Sequence, residues 1–366
     1  MKTNKKKKIL VLCPYPMNCA PSQRLKFEQY YNYFEENGFQ VTVSSFVTKQ
    51  FWKILYKEGY FFKKAYFTLI GYFIRFLDLF RLYRYDIVYV HLWVTPLGPP
   101  LFERLVKFFS KKIIYDIDDM VFLGHSSDAN KSFKALKGTQ KMIFLMRIAD
   151  HVITCTPVLD KFVHKFNPKT TDISSTINTD TYKIKEFLTF NKPIIIGWSG
   201  SHSTSIYLKL LEPVFQELLN KGIEFKVLVI GNKDFSFENK NIKTEAISWN
   251  LENEVNDLMR FDIGVYPLPF EQWVYGKSGL KALQYMALGI PTIATAIGAN
   301  YRIINHGKNG FLVEKNDIQK WVEYILHIIN DIDFARELGK NARKTVLEKF
   351  SVEANKEIYL NVLKSV

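Results

Sequence analysis

Short apolar segments recur along this chain in two series, and stretches with helical periodicity separate them. The predicted strands are 9–13, 41–46, 87–91, 112–116 and 151–154 in the first series, and 194–197, 226–230, 242–244, 263–266 and 292–295 in the second. The predicted helices are 22–37, 206–220, 251–260 and 280–287. Apolar strands that alternate with helices are typical of parallel sheets covered on both faces. We therefore predict an α/β protein with parallel-sheet domains at 1–170 and 190–350, followed by a helix at 351–366.

Composition narrows the class of protein. The sequence is 47% hydrophobic, which indicates packed cores rather than disorder. Cys13, Cys19 and Cys155 form no even set and no C-x-x-C pair, which favours a reducing, cytoplasmic setting without a metal site. The net charge of +14 predicts attraction to nucleic acid, acidic membrane or phosphorylated substrates. No nucleic-acid-binding module is recognised, so we expect no nucleic-acid partner, and no apolar stretch is long enough to predict a transmembrane helix.

The segment YGKSGLKALQYMALGIPT at 275–292 has a loop that runs into a predicted helix. The residues at this junction are Lys277, Ser278, Gly279, Leu280 and Lys281. A helix N-terminus binds anions because its first amides are unpaired and its dipole is positive there. Lys277 and Lys281 would project from one face if the helix began early. The local chemistry leaves two interpretations open, a phosphate or diphosphate site and an ordinary strand–helix unit with solvated lysines.

A second turn of this kind follows the strand at 194–197, in the sequence IIIGWSGSHST. Its candidate ligand-facing residues are Gly200, Ser201, Ser203 and Thr204. Glycine permits close backbone approach, and Ser203 or Thr204 can cap a helix that begins near residue 205. The alternative is a capped helix without a ligand.

The first domain supplies fewer signals. Arg24 follows the first strand within PYPMNCAPSQRLKFEQ and is a candidate for contacting a phosphate or an acceptor, or else a solvated residue. The sequence YDIDD at 115–119 places three acids at a strand end, where the sheet's ligands are expected. Such acids are costly unless they are solvated, paired or functional. His91, at another strand end, is a weaker candidate for the acceptor site.

Residues 49–84 break the α/β rhythm, with eight basic residues against two acidic ones and many aromatic rings. Aromatic rings mixed with Lys and Arg suit an amphipathic helix that lies on an anionic membrane. The alternative is a pair of helices that pack inward, and the sequence does not decide between the two.

The stretch GLKALQYMALGIPTIAT resembles the sugar-nucleotide segment of family-4 (group 1) retaining glycosyltransferases. The resemblance implies the GT-B architecture, in which two Rossmann-like domains face each other across a cleft and the C-terminal helix crosses back to the first domain. It also implies that Tyr266 lines the nucleobase or sugar pocket. Family members carry an Arg and a Lys that hold the diphosphate, and here Ser201 and Ile206 take their places. Two family glutamates fall on Gly276 and Gln284, so Gln284 can only hydrogen-bond a hydroxyl.

What the resemblance implies is a hexosyltransferase that uses a nucleotide-diphosphate sugar and no further cofactor. The acceptor would be a glycan or a lipid-linked glycan in bacterial surface polysaccharide synthesis, and the protein would be cytoplasmic, peripheral on the inner face of the membrane. Lys277 and Lys281 would stabilise the leaving diphosphate. Asp118 or Asp119 would orient or deprotonate the acceptor hydroxyl. The alternatives are a sugar-nucleotide 2-epimerase of the same fold and a non-catalytic nucleotide-sugar-binding protein.

Overall fold

The computed structural model describes residues 6–120, 139–185 and 189–366. The chain divides into two compact units, one formed by Met1–Ser175 with Asn355–Val366 and the other by Thr176–Ala354. Each unit contains a six-stranded parallel sheet, as the pattern of apolar strands predicted.

The sheet of the first unit has the strand order β2-β1-β3-β4-β5-β6. The strands are β1 Lys7–Cys13, β2 Phe39–Ser45, β3 Ile87–His91, β4 Ile113–Asp116, β5 His151–Thr154 and β6 Thr170–Asp172. The helices are α1 Pro21–Arg24, α2 Tyr31–Glu36, α3 Lys49–Leu55, α4 Phe61–Leu79, α5 Leu101–Phe109, α6 Thr139–Ile148 and α7 Pro157–Val163, with 3-10 turns at Glu28–Tyr30 and Leu82–Arg84.

The sheet of the second unit has the order β12-β11-β10-β7-β8-β9. Its strands are β7 Ile194–Ser199, β8 Phe225–Ile230, β9 Thr244–Ile247, β10 Ile263–Tyr266, β11 Thr292–Thr295 and β12 Phe311–Val313. The helices are α8 His202–Ser205, α9 Glu212–Asn220, α10 Glu254–Leu258, α11 Leu280–Ala287, α12 Asn300–Ile303, α13 Ile318–Asn330 and α14 Ile332–Thr345, with 3-10 turns at Ile206–Leu211, Gln272–Gly276 and Glu314–Asn316 and a π turn at Val346–Phe350. The last helix, α15, is Val352–Ser365, and most of it belongs to the first unit.

The strand orders locate the functional ends of the sheets. In the second unit the order reverses between β7 and β10, and in the first unit it reverses between β1 and β3. Ligands of open parallel sheets bind outside the carboxyl ends of the strands at such a reversal. Gly200 and Tyr266 lie at one reversal, and His91 ends β3 at the other.

Several predicted elements differ from the observed ones. The predicted helix at 22–37 is interrupted, because the chain leaves the helical path after Arg24 and buries the side chain of Lys26. The helix predicted at 206–220 begins as a 3-10 turn and becomes α-helical at Glu212. The helix predicted at 251–260 is only Glu254–Leu258. Strand β9 begins at the residue where its predicted range ends. The edge strand β6 has the sequence TTD and lacks an apolar run, and β12 is an apolar run of three residues, FLV, that the prediction did not include.

Candidate active site

The carboxyl ends of β7 and β8 lie against each other in the second unit. The backbone N–H of Gly200 donates to the carbonyl oxygen of Ile230 at 2.9 Å. Gly231 has φ +108°, and a methyl group on its Cα would overlap the carbonyl oxygen of Gly200. Only a residue without a side chain fits there, so both turns keep their backbone open at the strand ends.

Helix α11 begins at Leu280, with Gly279 as its N-cap residue at φ +73°. Lys277 therefore precedes the helix in an extended conformation, so the helix does not begin early enough for Lys277 and Lys281 to share a helical face. Its ammonium instead lies 4.8 Å from the ring centre of Trp273, which is itself 5.7 Å from the ring of Tyr207. Ser278 is buried beside Gly279, whereas Lys277, Leu280 and Lys281 are each partly exposed.

The ammonium of Lys281 lies between aromatic rings from the ends of β7 and β10. Its ammonium nitrogen lies 5.0 Å from the ring centre of Trp198 and 5.2 Å from that of Tyr266. A Cβ atom added to Gly200 would lie 2.6 Å from Lys281 Cε, so this glycine makes room for the lysine. Within the described residues Lys281 has no carboxylate or hydrogen-bonding partner. Burial lowers the pKa of its ammonium, and the charge of Lys277 lowers it further, to about 7.

A half-buried ammonium without a counter-ion is the electrostatic signature of an anion site, because an incoming anion would supply the missing charge. The aromatic faces on either side attract the cation only weakly compared with a phosphate oxygen. A bound anion would offset the desolvation of Lys281, so the arrangement favours the phosphate interpretation of the 275–292 segment over that of a solvated lysine.

The hydroxyl groups of the β7 turn lie at the surface. Ser201 is the N-cap residue of α8, so Ser203 and Thr204 lie inside the short helix, and the prediction that one of them caps it is wrong. The Ser201 hydroxyl lies 3.0 Å from that of Ser203 and 3.2 Å from that of Thr204. These three groups form an exposed cluster next to Gly200 in sequence.

Gln284 lies in a buried polar network. Its side-chain amide donates to the hydroxyl of Tyr182 at 2.8 Å and to Glu254 Oε1 at 3.3 Å. The Tyr182 hydroxyl donates to Glu254 Oε2 at 2.8 Å, and the indole N–H of Trp249 donates to Glu254 Oε1 at 2.9 Å. Sequence reasoning missed these partners, because Glu254 and Tyr182 are 30 and 102 residues away from Gln284.

In the first unit, a buried ion pair occupies the end of β4. The ammonium of Lys26 pairs with Asp116, which also accepts a hydrogen bond from the hydroxyl of Tyr89. Burial alone would raise the pKa of the Asp116 carboxyl, but the Lys26 ammonium and the nearby His91 outweigh it and lower that pKa. Asp116 and Lys26 are fully buried, so Lys26 is a structural residue of this strand end.

His91 lies between two of the acids. Its Nδ1 is 3.7 Å from Asp116 Oδ1 and its Nε2 is 4.0 Å from Asp118 Oδ1. Both ring nitrogens are buried, and neither has a hydrogen-bond partner within the part of the chain that the structure describes. Burial raises the pKa of the Asp118 carboxyl, which is the change expected of a general base near neutral pH. The carbonyl oxygen of Asp118 accepts a hydrogen bond from the thiol of Cys155 at 2.9 Å.

The remaining candidates are placed less distinctively. Asp119 Oδ1 accepts a hydrogen bond from the backbone N–H of Met120 at 2.7 Å, so this carboxylate stabilises its own turn. Arg24 is half-buried at the last position of α1. In residues 6–120, 139–185 and 189–366, no group of three or more His, Cys, Asp and Glu side chains is placed to hold a metal ion. A cavity of about 700 Å³ in the second unit is lined by none of the predicted site residues.

Comparison with known proteins assigns the second unit. Residues 180–345 match the sequence profile of the family described as glycosyl transferases group 1. The capsular polysaccharide biosynthesis glycosyltransferase CapM of Staphylococcus aureus is 28% identical over 172 residues, which is 44% of this chain and 43% of CapM. Residues 180–345 belong to the group 1 glycosyltransferase family. Against CapM and two further curated relatives, the chain spans between 19% and 43% of their length.

Solved structures confirm the GT-B fold of this chain. A glycosyltransferase from Rickettsia africae superposes with a TM-score of 0.68 at 16% identity, covering 98% of both chains. The Anabaena protein HepE, solved in complex with UDP and glucose, gives 0.68 at 14% identity and covers 98% of this chain and 100% of its own. These identities are low, so the likeness concerns the fold and carries no residue roles.

Proposed function

We propose that this protein transfers a hexose from a nucleotide-diphosphate sugar to a glycan or a lipid-linked acceptor in bacterial surface polysaccharide or glycoconjugate synthesis. The observation that carries the proposal is Lys281, a half-buried ammonium without a carboxylate partner among the described residues, set between Trp198 and Tyr266 at the strand-order reversal. In this proposal the second unit binds the nucleotide sugar and the first unit binds the acceptor.

On the donor side, Lys281 and Lys277 bind the diphosphate together with the first amides of α11. Both charges and the amides act on oxygens that become more negative as the glycosidic bond breaks, so they stabilise the transition state more than the ground state. The other donor contacts of the proposal are Gly200, Ser201, Ser203, Thr204, Tyr266, Ser278, Gly279, Leu280 and Gln284. Gly200 supports this arrangement because its missing side chain leaves space for Lys281.

On the acceptor side, we assign Asp118 as the general base and His91 as its neighbour, with Arg24 as a further acceptor contact. The raised pKa of the Asp118 carboxyl supports its role, because a stronger base accepts the hydroxyl proton more readily. Asp119 is the weaker choice, since it already accepts a backbone hydrogen bond.

The reaction that we propose retains the anomeric configuration. The acceptor hydroxyl attacks the anomeric carbon on the face that the diphosphate leaves, a carbon–oxygen bond forms to the acceptor, and the bond to the diphosphate oxygen breaks. The hydroxyl proton passes to Asp118, and the diphosphate leaves with its negative charge held by Lys277 and Lys281. No carboxylate nucleophile is required, which is consistent with Gly276 and Gln284 at the positions of the two family glutamates.

The decisive experiment is a screen of UDP, GDP and their sugars by thermal shift, followed by a transfer assay with the nucleotide sugar that stabilises the protein. A ligand that binds the native state raises the melting temperature. Binding followed by transfer supports the proposal. Turnover of the nucleotide sugar without an acceptor would assign the 2-epimerase activity instead, and binding without any turnover would assign a binding protein.

The aromatic segment 49–84 extends the proposal to the membrane. Helix α4 turns Gly71, Arg75, Asp78 and Leu79 inward. Its outward side chains, with two from the flanking turns, form an aromatic surface whose exposed members are Tyr56, Phe61, Phe62, Tyr66, Leu69, Phe73, Phe76, Leu77 and Phe80. Phe62 is 86% exposed and Phe61 is 76% exposed, and such exposure of large apolar side chains to water is energetically unfavourable.

Exposed lysines near this aromatic surface indicate what kind of partner it binds. Lys53, Lys57 and Lys63 are exposed alongside it. Cations beside exposed rings match the headgroup region of an anionic bilayer, where rings and cations both have favourable positions. We propose that this surface docks the protein on the inner face of the cytoplasmic membrane. No helix within the described residues is long and apolar enough to cross a membrane.

Vesicle sedimentation tests this docking. Each Lys near an anionic surface contributes about 1 kcal/mol, so changing Lys53, Lys57 and Lys63 to Gln together is expected to weaken binding to phosphatidylglycerol vesicles by on the order of a hundredfold. A matched triple change in the second unit, at the exposed Lys233, Lys243 and Lys340, is expected to weaken it much less. Equal recovery on neutral and anionic vesicles, or none on either, would refute the docking.

A further inference from the structure

The orientation of the Gln284 side-chain amide is fixed by the hydrogen-bonding properties of its neighbours. A carboxylate accepts hydrogen bonds and donates none, so the group facing Glu254 Oε1 must be the Gln284 NH₂ and not its carbonyl oxygen. The Tyr182 hydroxyl accepts a hydrogen bond from the same NH₂ and donates one to Glu254 Oε2. The amide orientation of Gln284 therefore follows from the presence of Glu254 and does not depend on how its oxygen and nitrogen atoms are assigned.

This orientation leaves one atom of Gln284 unused. Both amide hydrogens are taken by Tyr182 and Glu254, and the carbonyl oxygen has no hydrogen-bond partner among the residues that the structure describes. The side chain is 6% exposed, and its carbonyl oxygen is not one of the fully buried atoms without a partner, so a ligand hydroxyl or water can donate to it. Gln284 lies three positions after Lys281 on α11, and residues with this spacing are neighbours on one helix face.

We propose that Glu254 is a positioning residue that turns the carbonyl oxygen of Gln284 toward a hydroxyl group of the ligand whose phosphate Lys281 binds. The inference rests on the donor site of the proposed function and adds a specificity device to it. The ligand feature it selects is a hydroxyl on a sugar ring close to a phosphate, on either the ribose or the transferred sugar. Trp249 and Tyr182 fix the position of Glu254, because each donates a hydrogen bond to one of its carboxylate oxygens.

The charge of Glu254 is what makes the orientation unique. With Gln at position 254, that side chain has one acceptor and one donor end, and the Tyr182 hydroxyl can donate to either glutamine. Gln284 can then present its NH₂ or its carbonyl oxygen at similar cost, and a ligand hydroxyl is no longer selected by an acceptor alone. A purely structural role for Glu254 would change the stability of the protein and leave this selection unchanged.

A charge-swap series tests the network without any ligand. Gln284→Glu places a second carboxylate beside Glu254, so we expect its melting temperature to fall below that of the wild type at pH 8 and to recover part of the loss at pH 5. The double change Glu254→Gln with Gln284→Glu restores one carboxylate and one amide, and it is expected to recover most of the loss at pH 8. Additive losses in the double variant would overturn the network on which the inference depends.

Calorimetric titration then tests the selection. The probes are pyrophosphate, UDP and GDP, their 2′- and 3′-deoxy forms, and UDP-glucose and GDP-mannose with their deoxy-sugar analogues. For the wild type we expect about tenfold weaker binding when the selected hydroxyl is missing. The ribose and sugar series identify which ring carries that hydroxyl. Glu254→Gln is expected to reduce this discrimination at least threefold while pyrophosphate affinity stays the same.

Glu252→Gln, at an exposed position two residues away, is the matched control and is expected to leave every titration unchanged. Unchanged discrimination in Glu254→Gln, with nucleotide binding intact in the wild type, overturns this inference alone. If neither pyrophosphate nor any nucleotide binds the wild type, the proposed function fails and the inference fails with it. The two failures are therefore distinguished within one set of titrations.

Discussion

Replacing Lys281 with methionine removes an ammonium that has no carboxylate partner within the described residues and keeps most of the side-chain length. A charge-assisted hydrogen bond contributes roughly 1.5–3 kcal/mol, so nucleotide-diphosphate affinity is expected to fall by about 10-fold to 150-fold below pH 7. The loss in kcat/KM is expected to be at least as large, because the diphosphate gains charge in the transition state. The change also removes a desolvated charge from the unliganded protein.

The pKa of about 7 adds a pH signature to this prediction. Above pH 7 the unliganded wild type loses the Lys281 proton, and an incoming anion has to restore it. Affinity is therefore expected to fall by up to about tenfold per pH unit above 7, which corresponds to about 1.4 kcal/mol. Because Lys277 contributes to the lowered pKa, Lys277→Met is expected to shift this pH midpoint upward.

The effect on stability has the opposite sign. The pKa of Lys281 is lower in the folded protein than the value of about 10.4 in an unfolded chain. The folded state then binds fewer protons between these values, so the lysine destabilises the protein most at and below pH 7, and less as the pH rises toward 10. We expect Lys281→Met to melt at or above the wild-type temperature at pH 6, with the difference shrinking at higher pH.

Isothermal titration between pH 6 and pH 9 measures the affinity, and thermal unfolding over the same range measures the stability. Lys340→Met makes the same chemical change at an exposed position of α14 and serves as the control. The reasoning is refuted if the Lys281→Met variant retains the affinity of the wild type together with its pH dependence.

Three further predictions follow from single contacts. Gly200→Ala brings a Cβ atom to 2.6 Å from Lys281 Cε and from the Trp198 ring, so nucleotide affinity measured by calorimetry is expected to fall by on the order of tenfold to a hundredfold; an unchanged affinity would separate Gly200 from the site. Asp118→Asn is expected to lower transfer by about a hundredfold while donor binding survives, and loss of donor binding would instead move Asp118 to the donor side. Arg75→Gln breaks a buried ion pair with Asp78 and is expected to lower the free energy of unfolding by about 3–5 kcal/mol in denaturant titrations, whereas a change below about 1 kcal/mol would make this pair unimportant.

Arg75 also illustrates where a charge pattern misleads. In the sequence it is one of eight basic residues of the 49–84 segment, and it counts toward membrane attraction. In the structure its guanidinium is buried, pairs with Asp78, and donates to the carbonyl oxygens of Cys13 at 2.7 Å and Val94 at 2.9 Å. One face of α4 packs inward, as one interpretation predicted, and the other face is exposed, so the membrane interpretation stays a proposal.

The sequence by itself determined the two parallel sheets, since strands that are buried on both faces must be apolar throughout, and that property is local. It also identified the junction at Gly279 and Leu280, because glycine followed by a helix is a local signal. The helix at 22–37 was predicted wrongly for a tertiary reason. Its periodicity is local, but the ion pair between Lys26 and Asp116 joins residues 90 positions apart and takes the chain off the helical path.

The tertiary structure alone decided which of the candidate residues share an environment. The sequence predicted only that Lys281 lies in a helix four residues after Lys277. In the folded protein Lys281 packs against Gly200 and Trp198, and burial there lowers the pKa of its ammonium. Gln284 was an isolated amide, and folding surrounded it with Glu254 and Tyr182. Local patterns encode which backbone conformation a segment adopts, but the electrostatic state of a side chain depends on neighbours that arrive from distant segments, and no spacing rule specifies those neighbours.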